Sequence, residues 1–182
     1  MQQLLKWTLE TIREEESCFS WMEEYRYEWA PLVKSATAQV IEGKTVLIIT
    51  DNSHRWFGNY ILSSVNALQK DRPLLPFYNL IDQFPNLVNI NSTQDLQLLE
   101  DMLDISHPNG YYIWYIGKGD YPLTKLAYRN DDSFLWIMDE EIQNSFALRS
   151  SDPLLDIKLL QLFKLFDATI SAALFGDLDL EL

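Results

Sequence analysis

The most constraining feature of the sequence is a change in hydrophobic period near residue 44. Residues 45–50, Thr-Val-Leu-Ile-Ile-Thr, form a continuous β-branched and aliphatic run without alternation. Such a run is typical of a strand buried on both faces, as in a parallel sheet. Similar short runs recur at 74–80, 111–116 and 133–138, separated by stretches with helical spacing. This alternation predicts an α/β fold, an open three-layer α/β/α sandwich with a mainly parallel sheet.

Extra helices are expected at both ends of this fold. Near the N-terminus, Pro31 suits the first turn of a further helix, and Gly43 suits its C-terminal cap. Near the C-terminus, Pro153 is expected at the first position of a long helix that ends at about Phe175. The whole chain is predicted to be one domain, with N-terminal helices (1–42), a sheet core (44–150) and a C-terminal helix (152–175).

The charge of the chain excludes one large class of functions. There are 14 Lys and Arg residues against 27 Asp and Glu residues, a formal net charge of −13. A nucleic-acid-binding protein needs a basic surface to replace counterions on phosphate, so direct DNA or RNA binding is not expected. An anionic membrane surface is disfavoured for the same reason. The acids are concentrated in residues 1–30 and 131–182, whereas residues 31–130 are almost neutral.

The single cysteine and the apolar segments indicate a compartment. Cys18 lies on an apolar helical seam and is expected in the core, and one cysteine cannot form an intrachain disulfide. The N-terminus lacks the apolar stretch of a signal peptide, and no stretch of about 18 residues is free of charge. The expected location is therefore the cytoplasm, with no membrane contact.

One candidate ligand site follows the first predicted strand. Residues 50–55 place an acid, an amide, a hydroxyl, an imidazole and a guanidinium at a strand end that opens a helix. Ligands of open parallel sheets collect at such ends, so Ser53 and Arg55 could form a vestigial anion-binding loop. Helix capping is the alternative, because capping residues are expected there and the loop lacks glycine. A second segment, 117–120, contains two glycines and is predicted to form a turn.

The sequence contains few residues and no motif suited to other kinds of catalytic site. His54 and His107 are the only histidines, and the sequence has neither a zinc-binding motif nor a nucleophile elbow. We therefore expect no catalytic residues, no metal, no cofactor and no enzymatic activity.

The predicted C-terminal helix is apolar nearly all round. Ile157, Leu160, Leu174 and Phe175 fall within its polar stripe, so the helix should be buried on more than one side. A subunit interface is one explanation, and a central core helix is the alternative. The interface residues predicted on the first explanation are Ile157, Leu160, Phe163 and Phe166.

Two sets of aromatic and acidic residues suggest docking to a protein partner. Trp21 and Tyr25 are interleaved with acids such as Glu24, a combination that suits a basic partner. Leu174 and Phe175 precede a short acidic tail and suggest a second docking spot. Aromatic core packing, and a tail that folds back onto the body, are the respective alternatives. The predicted partner-binding residues are Trp21, Glu24, Tyr25, Leu174 and Phe175.

Several segments resemble a known family. They are DNSHRWFGNYIL (51–62), RPLLP (72–76), SFLWIM (133–138) and LLDIKLLQLFKLF (154–166). Together they are similar to the HobA family, bacterial proteins that associate with the replication initiator DnaA.

The resemblance implies a fold similar to sugar isomerase (SIS) domains, with a flavodoxin- or Rossmann-like topology. It also implies a homotetramer, a dimer of dimers, that binds the N-terminal domain of DnaA. Such a protein would be a non-enzymatic regulator of chromosomal replication initiation, acting as a scaffold that promotes DnaA assembly at the origin.

The loops depart from the SIS pattern, and this bears on the alternative function. Where SIS isomerases carry a glycine- and serine-rich sugar-phosphate loop, this chain keeps Ser53 without the glycines, and 117–120 replaces a second serine-rich loop. The alternative function is a sugar-phosphate isomerase or sensor of the SIS type.

Overall fold

The computed structural model describes residues 1–14, 19–90, 92–130 and 133–180. Two compact units make up the chain. The helical unit consists of Met1–Glu42 and Arg149–Leu182, and the sheet unit is Gly43–Leu148. Cys18 lies outside the described residues, so its predicted core position stays a prediction, as does the single-domain organisation.

The described residues of the sheet unit form five strands and four α-helices. The strands are β1 (Thr45–Thr50), β2 (Phe77–Asn79), β3 (Tyr111–Lys118), β4 (Phe134–Met138) and β5 (Ser145–Leu148). The helices are α3 (Arg55–Val65), α4 (Leu80–Gln83), α5 (Thr93–Ser106) and α6 (Thr124–Arg129). All four strand pairs are parallel, and the spatial order is β2-β1-β3-β4-β5. The predicted mainly parallel α/β sheet is confirmed.

Helices cover both faces of this sheet. On one face, residues such as Leu47, Ile113 and Ile137 form a buried cluster with side chains of α4, α5 and α6. On the other face, α3 stacks Phe57 against Trp136 of β4, with ring centroids 6.0 Å apart. Strands covered on both sides need apolar residues at every position, which explains the unbroken runs in the sequence.

Two strands differ from the predictions. The expected run at 74–80 forms only the three-residue β2, since Pro76 precedes it and α4 begins directly after it. The sequence analysis also missed β5. This four-residue strand lies at the sheet edge and is buried at alternate positions only, so it has no continuous apolar run.

The helical unit consists of α1 (Gln2–Glu14), α2 (Met22–Ile41) and α7 (Leu155–Phe175). The prediction that Pro31 starts a separate helix is wrong, because it lies inside the continuous α2. Proline removes one backbone hydrogen bond, and buried side chains on both sides of it, including Trp29 and Val33, keep the helix together. α7 begins at Leu155, two residues later than expected, after a turn in which the Asp152 carboxylate accepts the Leu154 N–H. Gly43, with φ +82, follows α2 as predicted.

Candidate functional site

The strand order reverses between β1 and β3, which makes their carboxyl ends the expected ligand crevice of such a sheet. Thr50 of β1 pairs with Ile116 of β3, so the next residues, Asp51 and Gly117, meet at the strand ends. We call this position the strand-end crevice. It brings together the two loops that the sequence analysis treated separately.

The carboxylate of Asp51 occupies the strand-end crevice. Its Oδ1 accepts the backbone N–H of His54 at 3.0 Å and lies 2.7 Å from the His54 Nδ1. Its Oδ2 accepts the backbone N–H of Lys118 at 2.9 Å. Asp51 and His54 are 7% and 5% exposed. Donors of the kind that would hold a ligand anion are therefore used by an anion of the chain itself.

Gly117 makes this arrangement possible. Its φ is +151°, and a Cβ at this position would lie 2.7 Å from the Asp51 Cγ. Such a distance is well inside van der Waals contact, so any side chain at 117 would displace the carboxylate. The next residue is held from its carbonyl side as well, since the Lys118 carbonyl accepts the hydroxyls of Tyr115 and Thr124.

The electrostatics match this geometry. Burial raises the pKa of the Asp51 carboxyl, but hydrogen bonds from His54 and the Lys118 amide outweigh it, so the pKa lies below its ordinary value. Burial also raises the pKa of Tyr115, which therefore stays a neutral hydroxyl donor. The crevice thus holds a stable carboxylate with its partners already in place.

Ser53 and Arg55, predicted to form a vestigial ligand loop, are both exposed at the edge of this crevice. The helix-capping alternative holds for Asp51, whose side chain caps the 3₁₀ turn Asn52–His54 that leads into α3. The roles of the Lys118 amide and of Gly117 were not predicted from the sequence. The adjacency of β1 and β3 is the signal that would have placed them beside Asp51.

In the helical unit, Trp21 connects the start of α2 with the first half of α7. Its indole N–H donates to the Gln161 Oε1 at 2.9 Å, and the Lys158 Nζ lies 4.6 Å from its ring centroid. The ring also contacts Tyr25, with centroids 5.9 Å apart. Trp21 is half-buried, whereas Tyr25 and Glu24 are exposed. Lys158 and Gln161 were not among the predicted residues, although Gln161 lies on the polar stripe of α7.

The four predicted interface residues of α7 divide into two pairs. Ile157 is 50% exposed and Leu160 is half-buried. Phe163 and Phe166 are 3% and 1% exposed in the single chain, so another copy could not reach them without unpacking α7. The core-helix alternative accounts for these two side chains, because a residue already covered has little further surface to bury.

The other predicted docking residues lie at the far end of α7. Leu174 is half-buried, and Phe175 is 56% exposed. Gly176, with φ +80, ends the helix, and the tail then alternates, with Leu178 buried and its acidic neighbours exposed. Phe175 is 14 positions beyond Gln161, about 21 Å along the axis at ~1.5 Å per residue. The predicted partner-binding residues therefore form two patches. The first-turn patch comprises Trp21, Glu24 and Tyr25, and the end patch comprises Leu174 and Phe175.

Comparison with known proteins identifies the family. The model of the HobA family, described as a DNA replication regulator, matches residues 1–180. The chain belongs to the HobA family. It is 31% identical over 186 residues to the DNA replication regulator protein HobA of Helicobacter pylori, a match that covers 99% of this chain and 100% of that protein.

Solved structures of HobA agree with the fold. A crystal structure of a HobA–DnaA (domain I–II) complex from Helicobacter pylori contains a chain that is 30% identical, with a TM-score of 0.75. A crystal structure of HobA from the same organism is 28% identical, with a TM-score of 0.71. Each match covers 96% of this chain and 97% of the other. The expected HobA resemblance is confirmed over the whole length.

Two absences hold for the residues that the structure describes in this HobA-family chain. Among them, no helix is long and apolar enough to cross a membrane. In the same ranges, no three His, Cys, Asp or Glu side chains are grouped closely enough to hold a metal ion.

Proposed function

We propose that this chain regulates chromosomal replication initiation by binding the N-terminal domain of the initiator DnaA. The observation that carries the proposal is the similarity, over 96% of the chain, to the HobA chain of a HobA–DnaA (domain I–II) complex. Because the match covers 96% of the chain, most of both units lies within it.

The proposed docking surfaces are the two patches of the helical unit. Tyr25 and Phe175 are 40% and 56% exposed, so each leaves part of an aromatic ring available to a partner. Acids lie beside both, with Glu24 near Tyr25 and Asp177 after Phe175, and all of these acids are exposed. Exposed aromatic anchors within an acidic border suit a partner domain that carries basic residues.

We further propose that the protein acts as a homotetramer, a dimer of dimers, with Ile157 and Leu160 at a subunit contact. Several initiators on one oligomer would raise the effective concentration of each for the next, which promotes assembly at the origin without chemistry. The chain itself need not touch DNA, in keeping with its net charge of −13. Because the bacterial chromosome lies in the cytoplasm, we place the protein there as well.

The closed strand-end crevice supports a non-enzymatic role. A sugar phosphate could enter the usual SIS position only if it displaced the Asp51 carboxylate from His54 and from the Lys118 amide. Displacing a buried, hydrogen-bonded charge is costly, so the sugar-phosphate alternative receives no support from the geometry.

The test uses the whole chain, the DnaA N-terminal domain and two readouts. Calorimetric titration measures initiator binding, and light scattering after gel filtration measures the oligomer mass. The variants are Phe175→Ser for the end patch, Tyr25→Ser for the first-turn patch and Ile157→Ser for the subunit contact. Leu68→Ser, at a leucine that is 93% exposed in the sheet unit, is the matched control.

We expect Phe175→Ser and Tyr25→Ser to weaken initiator binding at least about tenfold, while Ile157→Ser lowers the oligomer mass. Leu68→Ser should change neither quantity. A wild-type chain that does not bind the DnaA domain would refute the proposed function. Equal losses of DnaA binding in all four variants, the control included, would refute the assignment of the patches.

A further inference from the structure

A second candidate surface lies wholly in the sheet unit. The segment after α4 and one side of α5 enclose a groove of about 430 Å³. We call it the α5 groove. Its apolar lining includes Phe84, Leu87, Ile90, Leu98, Leu99 and Met102. The volume is sufficient for several apolar side chains of a ligand or partner.

One wall of the α5 groove is open to solvent. Leu98 is 60% exposed, and Ile105, two turns further along the same helix, is 83% exposed. Leu98, Met102 and Ile105 are spaced four and three residues apart, so they follow one another on one face of α5. An apolar stripe of this length fits the face of a helix better than a small enclosed molecule.

The charge around the groove is one-sided. Residues 73–117, which form all of it, contain five Asp or Glu residues and neither Lys nor Arg. At about 100° per residue, Asp95 and Asp101 lie about 60° to either side of Leu98 on the helix. Arg129, from outside this segment, pairs with Glu100 at 3.2 Å and donates to the Gln97 Oε1 at 3.1 Å, so it lies beyond Asp101 as seen from Leu98. The stripe therefore runs between two acidic borders.

These observations favour one occupant. A second copy of this chain that docked through the same groove would bring its own Asp95 and Asp101 against these borders, and like charges at close range oppose association. Lys or Arg residues on both sides of an apolar helix face would instead meet Asp95 and Asp101. We propose that the α5 groove binds a basic amphipathic helix of a protein partner, at a site separate from the initiator-binding patches of the helical unit.

The probe for this site is a labelled helical peptide of about 18 residues. It carries leucines at i, i+3, i+4 and i+7 and lysines along both edges of that face, and a comparison peptide carries glutamate at every lysine position. Fluorescence anisotropy measures binding to the whole chain and to three variants. Leu98→Gln removes the exposed wall of the groove, Asp101→Asn removes one border charge, and Leu74→Gln is the control.

Leu74 is a well-matched control, because it is 73% exposed, lies in the same segment without Lys or Arg, and is not part of the groove. We expect Leu98→Gln to weaken binding of the lysine peptide at least about tenfold. Asp101→Asn should weaken it about two- to threefold and reduce its salt dependence. Leu74→Gln should bind as wild type does, and the glutamate peptide should not bind.

Hydrogen exchange of the wild-type chain gives an independent measurement, with protection expected at 83–90 and along α5 when the lysine peptide is bound. Three results would overturn the inference. They are equal binding of the lysine and glutamate peptides, an equal loss of lysine-peptide binding in Leu98→Gln and Leu74→Gln, or protection from exchange only outside 83–90 and α5. Two others would reassign the groove and so overturn it as a separate partner site. They are a change of oligomer mass in Leu98→Gln, and a loss of DnaA binding in Leu98→Gln while the patch variants still bind.

Discussion

The strand-end crevice and the patches of the helical unit, both singled out in the sequence, have opposite properties in the structure. In the crevice, Asp51 and His54 are 7% and 5% exposed and are hydrogen-bonded to each other. In the first-turn patch Tyr25 is 40% exposed, and in the end patch Phe175 is 56% exposed. The place where a sheet of this order usually binds ligands is filled by the chain itself, and large apolar side chains remain in water elsewhere.

This contrast indicates how the fold serves a binding protein. A buried carboxylate with three hydrogen bonds stabilises the switch between β1 and β3 and leaves little room for a ligand. Exposed apolar side chains contribute little to folding and gain free energy only when a partner covers them. Substitutions in the crevice should therefore change stability, whereas substitutions in the patches should change association.

The largest effect is expected for Gly117→Ala. The new Cβ would lie 2.7 Å from the Asp51 Cγ, and the backbone has φ +151°, so the variant has both a steric clash and backbone strain. We expect a loss of about 3 kcal/mol or more in the free energy of unfolding, measured by urea denaturation.

Gly43→Ala separates the two causes of that loss. Gly43 has φ +82, and no atom lies within 4 Å of the position that an alanine methyl group would take, so only backbone strain is added there. Its expected cost is about 1–2 kcal/mol. Equal losses in the two variants would mean that the close approach of Asp51 to Gly117 contributes nothing to stability.

Asp51→Asn should have the next largest effect, about 2 kcal/mol at pH 7, because the amide is neutral and has one accepting oxygen, whereas both carboxylate oxygens accept N–H groups. The effect should depend on pH. The pKa of Asp51 is lowered in the folded chain, so the carboxylate stabilises the fold fully above its unfolded pKa of about 3.8. That contribution is lost as the pH falls from about 5 through the folded pKa.

Denaturation of wild type and Asp51→Asn between pH 7 and pH 3 measures this difference. The gap in stability should be widest near neutrality and should narrow in acid. Asp120→Asn, at an exposed carboxylate two positions after Lys118, should stay close to wild type throughout. A gap that stays constant with pH would contradict a role for the Asp51 charge.

Much of the sheet unit could be predicted from the sequence because its signals are local. Unbroken apolar runs marked β1, β3 and β4. The start of α5 also has a local signal, because Ser92 forms a capping box with Asp95. The errors occurred where local signals were weak or misleading. β5 is short and half-buried, and Pro31 lies within a helix that packing sustains.

The site residues were harder to predict, because burial and pairing depend on distant parts of the chain. Asp51 and Lys118 are 67 positions apart and meet only because β1 lies beside β3. Phe163 and Ile157 are both apolar residues of one helix, yet only tertiary packing decides which of them is covered. Periodicity identified α7 as unusually apolar, but it could not say which of its side chains lie inside.

The smallest effect is expected at Trp21, which links α2 to α7 in the helical unit. Trp21→Phe removes the indole N–H that donates to Gln161 but keeps an aromatic ring beside Lys158. Because the site is only half-buried, water can replace the lost donor, and the expected cost is about 0.5–1 kcal/mol. Trp21→Ala also removes the ring and its contact with Tyr25, and should cost about 1 kcal/mol more.

Thermal denaturation measures the stability of both Trp21 variants, and calorimetry with the DnaA domain shows whether the ring also contributes to binding. If Trp21→Phe were as harmful to stability as Asp51→Asn, the helical unit would depend on buried polar contacts as the strand-end crevice does, and the contrast between the two regions would fail.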